Sequence, residues 1–262
     1  MDRLFDLVFV RPPPNTYAEC VSTAPTRDEI DVDLAREQHG RYVSTLKEYG
    51  IDVVELPSLE DFPDSVFMQD PALLGSQRAI IGRFGESARR GEEEVFFDAL
   101  RSHRSRIGEI RFVKEPGTLE GGDVLVTDRG LFVGESRRTN FNGIEQLAAC
   151  LKGLQVRPVK TDLLHLLCGC SYLSDGKMIV APDLVSRNSF PGFEFVSLST
   201  KEAYAADALY LGDGRVLIPS GFPDVNKKLE EAGYEAVEVD MSEFRKGDGG
   251  LTCLCSPVYR LF

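Results

Sequence analysis

The stretch LVTDRGLFV, residues 125–133, joins two apolar runs through a polar turn. Asp and Gly between two such runs are typical of a β-hairpin. Three other stretches share this plan: LLGSQRAII (73–81), YLSDGKMIV (172–180) and YLGDGRVLI (210–218). The four copies start about 40 to 50 residues apart, a period typical of repeated structural units. The sequence therefore predicts diverged copies of one hairpin-containing unit.

Between the hairpins the apolar residues change to helical spacing, and each helical segment leads into a short strand-like run. These helix and strand segments are 92–104 with 110–114, 144–152 with 154–159, 31–50 with 51–57, and 224–233 with 234–240. Gly50 and Gly233 stand where a glycine commonly terminates a helix. The repeated unit is therefore predicted as strand, strand, helix, strand (ββαβ).

The first copy lacks a full hairpin of its own. LFDLVFV (4–10) could supply one of its strands and LTCLCSPVY (251–259) the other. Such a pairing would join the two ends of the sequence and close a ring of five units. We expect residues 1–262 to form a single α/β domain of this kind.

Composition excludes several classes of partner. The 262 residues carry a formal net charge of -12 with a pI near 4.8, which opposes binding to the phosphate backbone of nucleic acid. The first thirty residues do not resemble a signal peptide, and no apolar run reaches the roughly 18 residues of a membrane span. We expect a cytoplasmic protein, a monomer or a homodimer, whose six cysteines are reduced.

A closed ring brings equivalent positions of its units around one axis. Asp70, Glu120 and His165 each precede a hairpin by a few residues, so their side chains are predicted to converge. In LEGGDV (119–124) the two glycines would allow close backbone approach beside a carboxylate. His165 stands among leucines, where a packed core histidine is the usual finding. Its register with Glu120 instead favours an imidazole that a carboxylate orients as a general acid/base.

A nucleophile is available in TCLC near the end of the chain. Alternation along a strand predicts that Cys253 and Cys255 point to the same face, with Leu254 opposite. A reactive thiol would need a cationic neighbour, such as protonated His165 or a cationic substrate. The C-x-C pairs 168/170 and 253/255 leave a zinc site as an alternative, although the spacing is unusual for zinc. The sequence contains no G-x-S-x-G, P-loop or G-x-G-x-x-G motif.

Charged residues elsewhere suggest how a ligand is held. FPDSVFMQDPALL (62–74) carries Asp64, Gln69 and Asp70 just before a hairpin, and two acids there suit recognition of a planar cation. Arg83 and Arg138 each follow the outgoing strand of a hairpin. Two arginines at matching places could clamp a carboxylate.

Taken together, these segments resemble the guanidine-modifying pentein superfamily, and within it most closely the dimethylarginine dimethylaminohydrolase family. The motifs run in order along almost the whole chain: LVFVRPPP, FPDSVFMQDPALL, LEGGDVLVTDRGLFVGESRRTN, LLHL and GGLTCLCS. LEGGD followed by VGESRRTN is the most specific of them. The resemblance implies a five-bladed α/β propeller of ββαβ units.

The resemblance also implies the chemistry. Cys253, rather than Cys255, matches the nucleophile, His165 the general acid/base and Glu120 its supporting acid. Asp70 and Asp64 match the carboxylates for the guanidinium and amino ends, and Arg83 and Arg138 match arginines on the substrate side. The implied reaction passes through a covalent thiouronium on the cysteine and releases citrulline, with no metal or organic cofactor.

One residue departs from the family pattern. Gln69 stands where these hydrolases usually carry Glu, and losing that charge would weaken the attraction for a cation. We expect a small guanidino substrate, dimethylarginine or monomethylarginine. An arginine deiminase or amidinotransferase remains the alternative among enzymes, although a deiminase usually carries an extra helical insertion. A non-catalytic binding protein on the same ring is the alternative outside them, and it would not need Cys253, His165 and Glu120 together.

Overall fold

A computed structural model describes residues 3–262, and within that range fifteen strands form four sheets. The strands are β1 (Phe5–Val10), β2 (Asp52–Glu55), β3 (Ala72–Gly75), β4 (Arg78–Ile81), β5 (Glu109–Phe112), β6 (Val124–Thr127), β7 (Gly130–Glu135), β8 (Val156–Lys160), β9 (Cys170–Tyr172), β10 (Lys177–Val180), β11 (Glu194–Ser197), β12 (Leu209–Gly212), β13 (Arg215–Pro219), β14 (Glu235–Val239) and β15 (Cys255–Tyr259). The α-helices are α1 (Val32–Glu48), α2 (Glu92–Leu100), α3 (Phe141–Cys150), α4 (Pro223–Glu231) and α5 (Ser242–Lys246).

All four predicted hairpins are confirmed. The antiparallel pairs are β3–β4, β6–β7, β9–β10 and β12–β13. A third strand lies parallel to the second strand of each hairpin, giving β5, β8, β11 and β14 their places at the sheet edges. The structure thus repeats one three-stranded set four times, as the spaced sequence copies predict.

The two ends of the chain build a fifth set of the same kind. β15 lies antiparallel to β1, and β2 lies parallel to β1, so the predicted pairing of 4–10 with 251–259 is confirmed. β15 also pairs in parallel with β3. This contact merges two sets into a six-stranded sheet of order β2-β1-β15-β3-β4-β5.

Helices connect the second and third strands in four of the five sets. Asp31 caps the start of α1 by accepting hydrogen bonds from the backbone of Asp33 and Leu34. Gly50 and Gly233, with φ of 73° and 90°, follow α1 and α4 as predicted. The set of β9, β10 and β11 departs from the predicted ββαβ unit, because only a 3-10 turn at Arg187–Ser189 lies between its second and third strands.

The strands of different sets share one interior. The largest cluster of buried apolar side chains includes Val8, Leu73, Val124, Leu211 and Leu254, which lie on or beside β1, β3, β6, β12 and β15. Packing at this shared core fixes those strands relative to one another. Within the described residues, no helix combines the length and apolar character of a bilayer span.

Candidate active site

Polar residues occupy equivalent places just before the first strand of every set. Asp70 precedes β3, Glu120 precedes β6, His165 precedes β9, Asp207 precedes β12 and Cys253 precedes β15. All five are buried. Side chains at matching positions of repeated sets therefore converge in the interior of the protein.

A small cavity of about 20 Å³ lies where these side chains meet. Its polar lining includes Asp64, Asp70, Arg138, His165 and Cys253, all five of which the sequence singles out. Glu120 lies directly behind His165. Gln69 and Arg83, which the sequence singles out, are not part of the lining, whereas Arg89, which it does not single out, is.

His165 is held between two carboxylates. Its Nε2 lies 2.8 Å from Glu120 Oε2, and its Nδ1 lies 3.7 Å from Asp70 Oδ1. Burial alone would lower the pKa of the imidazole, but the negative charges of Asp70, Glu120 and Asp123 raise it to about 9. His165 is therefore an imidazolium at neutral pH, ready to donate a proton to a leaving group.

Glu120 is fixed by the backbone around it. Its Oε1 accepts a hydrogen bond of 2.9 Å from the backbone N–H of Gly85, and its own N–H donates to Thr139 Oγ1 at 3.0 Å. Arg138 Nη1 lies 3.7 Å from Oε2. The side chain is fully buried, so its position is set by these contacts and not by water.

The glycines of LEGGDV allow this close packing. A Cβ on Gly122 would stand 2.7 Å from both Asp70 Oδ1 and His165 Nδ1. A Cβ on Gly121 would stand 2.0 Å from the backbone oxygen of Gln69. Any side chain at these positions would displace the carboxylate, the imidazole or the neighbouring backbone.

Asp70 and Arg89 form a buried ion pair. Arg89 Nη1 donates to Asp70 Oδ2 at 2.6 Å, while its Nε and Nη2 donate to the two oxygens of Glu92 at 3.0 and 2.8 Å. Burial opposes ionisation of Asp70, but the positive charges of His165 and Arg89 outweigh it and lower the pKa of the carboxyl. Asp70 is thus an anion directed into the cavity.

Arg89 lines the cavity although the sequence did not predict it, and Arg83, which was predicted there, lies outside the cavity. Arg83 pairs with Glu115 at 2.5 Å and donates to the backbone oxygen of Gly117 at 3.3 Å, away from the cavity. Arg89 follows it by six residues and lines the cavity. It comes from a short 3-10 turn, Ser87–Arg89, whose place in space the local sequence does not indicate.

Asp64 and Arg138 border the same cavity. Asp64 Oδ2 accepts from the backbone N–H of Val21 at 3.1 Å, and burial raises the pKa of the carboxyl above its usual value. Arg138 Nη1 is buried and has no hydrogen-bond partner among the described residues. One acid and one available guanidinium donor therefore face the cavity together.

Gln69 points away from the cavity. Its backbone N–H donates to the carbonyl of Cys253 at 3.1 Å. In the amide orientation that satisfies both of its ends, its side-chain nitrogen donates to the carbonyls of Cys255 and Thr252 at 2.9 and 3.2 Å. The amide therefore fixes the turn that carries Cys253. Because Gln69 does not line the cavity, replacing a glutamate there with glutamine removes no charge from the cavity wall.

Cys253 lies in a 3-10 turn, Thr252–Leu254, and not in a strand. The prediction that strand alternation places Cys253 and Cys255 on one face is therefore wrong, because β15 begins only at Cys255. Cys253 lines the cavity, whereas Cys255 is buried behind it, where its thiol interacts with the hydroxyl of Tyr42. Burial and then the charges of Asp207 and Asp70 raise the pKa of the Cys253 thiol well above its usual value.

Asp207 is the second site residue that the sequence did not predict. Its Oδ1 accepts from the backbone N–H of Thr252 at 2.8 Å, and its Oδ2 lies 3.9 Å from Cys253 Sγ. A signal was available, because Asp207 precedes the hairpin copy at 210–218 by three residues, just as Asp70 precedes the copy at 73–81.

Metal ligation fits this site poorly. Asp70, Glu120 and His165 bring one ligand atom each within 4.8 Å of one another, the only such group in the part of the chain that the structure describes. His165 is protonated and Asp70 is paired with Arg89, so a cation would have to displace two existing positive charges. The paired cysteines 168/170 and 253/255 do not join this group.

Repeated α/β sets that bring a thiol, an imidazolium and carboxylates into one cavity define the class of guanidine-modifying pentein enzymes. The family model described as N,N dimethylarginine dimethylhydrolase, eukaryotic, matches residues 15–188. The N(G),N(G)-dimethylarginine dimethylaminohydrolase of Pseudomonas aeruginosa is 35% identical over 96% of this chain and 98% of its own. An uncharacterized protein of Aeropyrum pernix is 42% identical over 99% of this chain and 98% of its own.

A solved structure agrees with these sequence relatives. The Pseudomonas aeruginosa enzyme, as a cysteine-to-serine mutant in complex with citrulline, superposes with a TM-score of 0.91 and 34% identity, covering 97% of this chain and 100% of that one. The chain belongs to the dimethylarginine dimethylaminohydrolase family. It is an enzyme of the amidine hydrolase type with a pentein fold.

Proposed function

We propose that this enzyme hydrolyses the C–N bond of an ω-methylated arginine, dimethylarginine or monomethylarginine, to citrulline and dimethylamine or methylamine. One observation carries the proposal: Cys253 and the protonated His165 border one buried cavity whose remaining polar wall is formed by acids and arginines. The names of the relatives and the citrulline in the related structure support the same substrate class.

The charges of the cavity fit the two ends of such a substrate. Asp70 would accept hydrogen bonds from the guanidinium beside Cys253, and Asp64 would face the α-amino group. Arg138 is the donor we assign to the α-carboxylate, because it borders the cavity and its Nη1, 3.7 Å from Glu120, makes no hydrogen bond. We make this assignment to Arg138 and not to Arg83, since the guanidinium of Arg83 is already paired with Glu115 outside the cavity.

The chemistry follows from the protonation states. The sulfur of Cys253 attacks the guanidinium carbon, and His165 gives its proton to the departing amine as the C–N bond breaks. The products of this step are an amine and a thiouronium bound to Cys253. The neutral His165 then takes a proton from water, which attacks the same carbon and releases citrulline. None of these steps uses a metal or an organic cofactor.

The substrate need not change because of Gln69. Its amide holds the backbone of the Cys253 turn and does not line the cavity, so a glutamate there would not add charge beside the guanidinium. The acids available to a cation are Asp64 and Asp70, as the family pattern requires. The cavity acids suit arginine and methylarginine alike, and the names of the relatives favour methylarginine as the substrate.

We further propose that the five three-stranded sets are the blades of a closed propeller in a single catalytic domain, residues 1–262. Pairing of β1 with β15 supports closure at the chain ends, and the five polar residues before the inner strands support a common axis. A cytoplasmic monomer or homodimer remains our expectation from the sequence.

Product analysis tests the activity directly. Purified enzyme is incubated separately with dimethylarginine, monomethylarginine and arginine, and citrulline, dimethylamine, methylamine and ammonia are quantified. We expect alkylamine and citrulline in equal amounts, with arginine turned over far more slowly. Ammonia from arginine as the dominant product would instead identify a deiminase, and no citrulline from any of the three would refute the proposal.

Trapping the intermediate tests the nucleophile. Intact mass after an acid quench during turnover should show an adduct that peptide mapping localises to Cys253. Cys253→Ser should abolish both adduct and turnover, whereas the matched variant Cys255→Ser should retain them, because Cys255 is buried behind the cavity. An adduct that persists in Cys253→Ser would overturn the assignment.

A further inference from the structure

The mechanism leaves the thiol proton of Cys253 without an acceptor. Sulfur attacks as a thiolate, so this proton must leave before or during attack. His165 is already protonated at neutral pH and cannot take it. Asp70 is held by Arg89 and has a lowered pKa, which makes it a weak base. Glu120 is bonded to His165 and to the backbone of Gly85.

Asp207 has the geometry that these acids lack. Its side chain is almost completely buried, with 4% of the residue exposed. Oδ1 is fixed by the backbone N–H of Thr252 at 2.8 Å, and Oδ2 is 3.9 Å from Cys253 Sγ, within the range over which a thiol donates to an oxygen. The carboxylate is thus anchored to the turn that carries the nucleophile and directed at its sulfur.

We propose that Asp207 is a further catalytic residue, whose carboxylate accepts the thiol proton of Cys253 as the sulfur attacks the guanidinium carbon. This inference rests on the proposed function. In the first step the S–H bond breaks, the S–C bond forms and Asp207 becomes protonated. His165 then protonates the leaving amine while the C–N bond breaks.

The second half of the reaction restores both groups. Water gives one proton to His165, and the water oxygen bonds to the thiouronium carbon. The S–C bond then breaks, and Asp207 returns its proton to the departing sulfur. The proton left on the new hydroxyl passes to solvent, where the released amine is protonated, so that substrate and water become citrulline and an alkylammonium ion.

The surroundings of Asp207 suit reversible proton transfer. Burial raises the pKa of its carboxyl to about 6, while its bonds to Thr252 and Cys253 and the charge of His165 act in the other direction. In the resting enzyme the proton stays on sulfur, since the thiol has the higher pKa. A guanidinium bound beside the sulfur would favour the thiolate and so drive the proton to Asp207.

Other titratable groups face Asp207 as well. Burial, and after it charges that include that of Asp207, raises the pKa values of four thiols and two phenols: Cys168, Cys170, Cys253, Cys255, Tyr42 and Tyr204. Asp207 also borders a larger outer chamber whose charged lining includes Arg245, Lys246 and Asp248 from the last helix and the loop after it. Among all of these, Cys253 is the thiol that also lines the inner cavity.

The variant Asp207→Asn distinguishes a role of Asp207 as proton acceptor from a purely structural role in holding the Cys253 turn. Asparagine keeps an oxygen for the Thr252 N–H but loses the charge and the basicity. We expect the rate of adduct formation with dimethylarginine, followed by quenched intact mass, to fall about 10²- to 10⁴-fold. Alkylation of Cys253 by iodoacetamide at pH 7 without substrate should become faster, because loss of the negative charge lowers the pKa of the thiol.

Slower adduct formation together with faster alkylation in Asp207→Asn is the result expected only if Asp207 accepts the thiol proton. Adduct formation that is unchanged or faster would mean that Asp207 only restrains the thiol, and slowing of both reactions would mean that it only positions the turn. Either result overturns the proposal. Asp162→Asn, an exposed acid of the outer chamber, is the matched control and should leave both rates unchanged.

A measurement on the unmodified enzyme covers the case in which the variant fails to fold. Adduct formation by the wild type should rise as pH increases through about 6, where Asp207 loses its proton. A rate that is flat from pH 5 to 7.5 would overturn the proposal. Wild-type enzyme without activity on any guanidino substrate would instead refute the proposed function itself.

Discussion

Arg89 offers the sharpest test of how the site is held together. Its guanidinium is buried, donates to Asp70 and to both oxygens of Glu92, and lies 4.5 Å over the ring of Phe84. Both acids are almost fully buried, so water cannot replace the arginine as their partner. Removing this one cation takes away the direct ion-pair partner of two buried carboxylates, and leaves Asp70 with the more distant charge of His165.

Arg89→Met keeps the length and the apolar stem of the side chain but removes the charge. Breaking a buried ion pair by removing one partner costs about 3–5 kcal/mol. An unfolding entropy of about 2.1 cal/mol/K per residue gives roughly 0.55 kcal/mol/K for the 262-residue chain, so Tm should fall by about 5–9 °C. The loss should shrink as pH falls towards 5, because the unpaired Asp70 and Glu92 can then take up protons.

Arg83→Met is the matched control, since Arg83 pairs with a largely exposed Glu115 at the surface. Such a pair contributes about 0–1 kcal/mol, and its loss should move Tm by less than about 2 °C. Calorimetry and urea unfolding at pH 7.5 and pH 5 would measure both variants. Equal losses in the two variants, or less than 1 kcal/mol at Arg89, would refute the reasoning.

Three further outcomes follow from the structure. Glu120→Gln removes the carboxylate that holds the His165 proton, so the alkaline limb of the pH–rate profile should move to lower pH from about 9, and an unchanged limb would contradict the pairing. Gly122→Ala should cut turnover at least about 10-fold, because the added methyl group would push Asp70 and His165 apart. The control Gly40→Ala, where the added methyl group points into open space on α1, should keep full activity and add about 0.5–1 kcal/mol to stability. Equal activity of the two variants would argue against the close contact at Gly122. Burial lowers the pKa of His39 to about 4, so the stability that the neutral imidazole contributes is complete above pH 6.5 and is lost as pH falls towards 4. His39→Leu has no such group, so its free energy of unfolding relative to that of the wild type should be about 2 kcal/mol higher at pH 5 than at pH 8. Parallel profiles of stability against pH for the two proteins would exclude this.

The sequence determined the repeated architecture. Hairpin turns and helix ends depend on interactions within a few residues, which is why the four hairpins and the glycines at 50 and 233 were predicted correctly. The pairing of the two chain ends was also predicted, because a unit without its own hairpin has an unpaired strand to satisfy. The missing helix before β11 was not predicted, since the repeat was extended to a set whose own sequence lacks it.

The site was only partly predictable. Residues at equivalent positions of the repeats could be predicted from the sequence, and Asp70, Glu120 and His165 do lie together. Arg89 and Asp207 were missed, and Gln69 and Arg83 lie outside the cavity, because the direction of each side chain depends on a turn packed against distant segments.

Sequence alone thus determined where the four hairpins form and where α1 and α4 end, because turns and helix caps depend on local interactions. The tertiary structure decided which charges meet, since the pairing of Arg89 with Asp70 and of Asp207 with Cys253 joins residues 19 and 46 positions apart. Burial then fixed their protonation. An imidazole or a carboxyl acquires a shifted pKa only when water is removed and a charge is placed beside it, and both depend on the folded packing of all the sets.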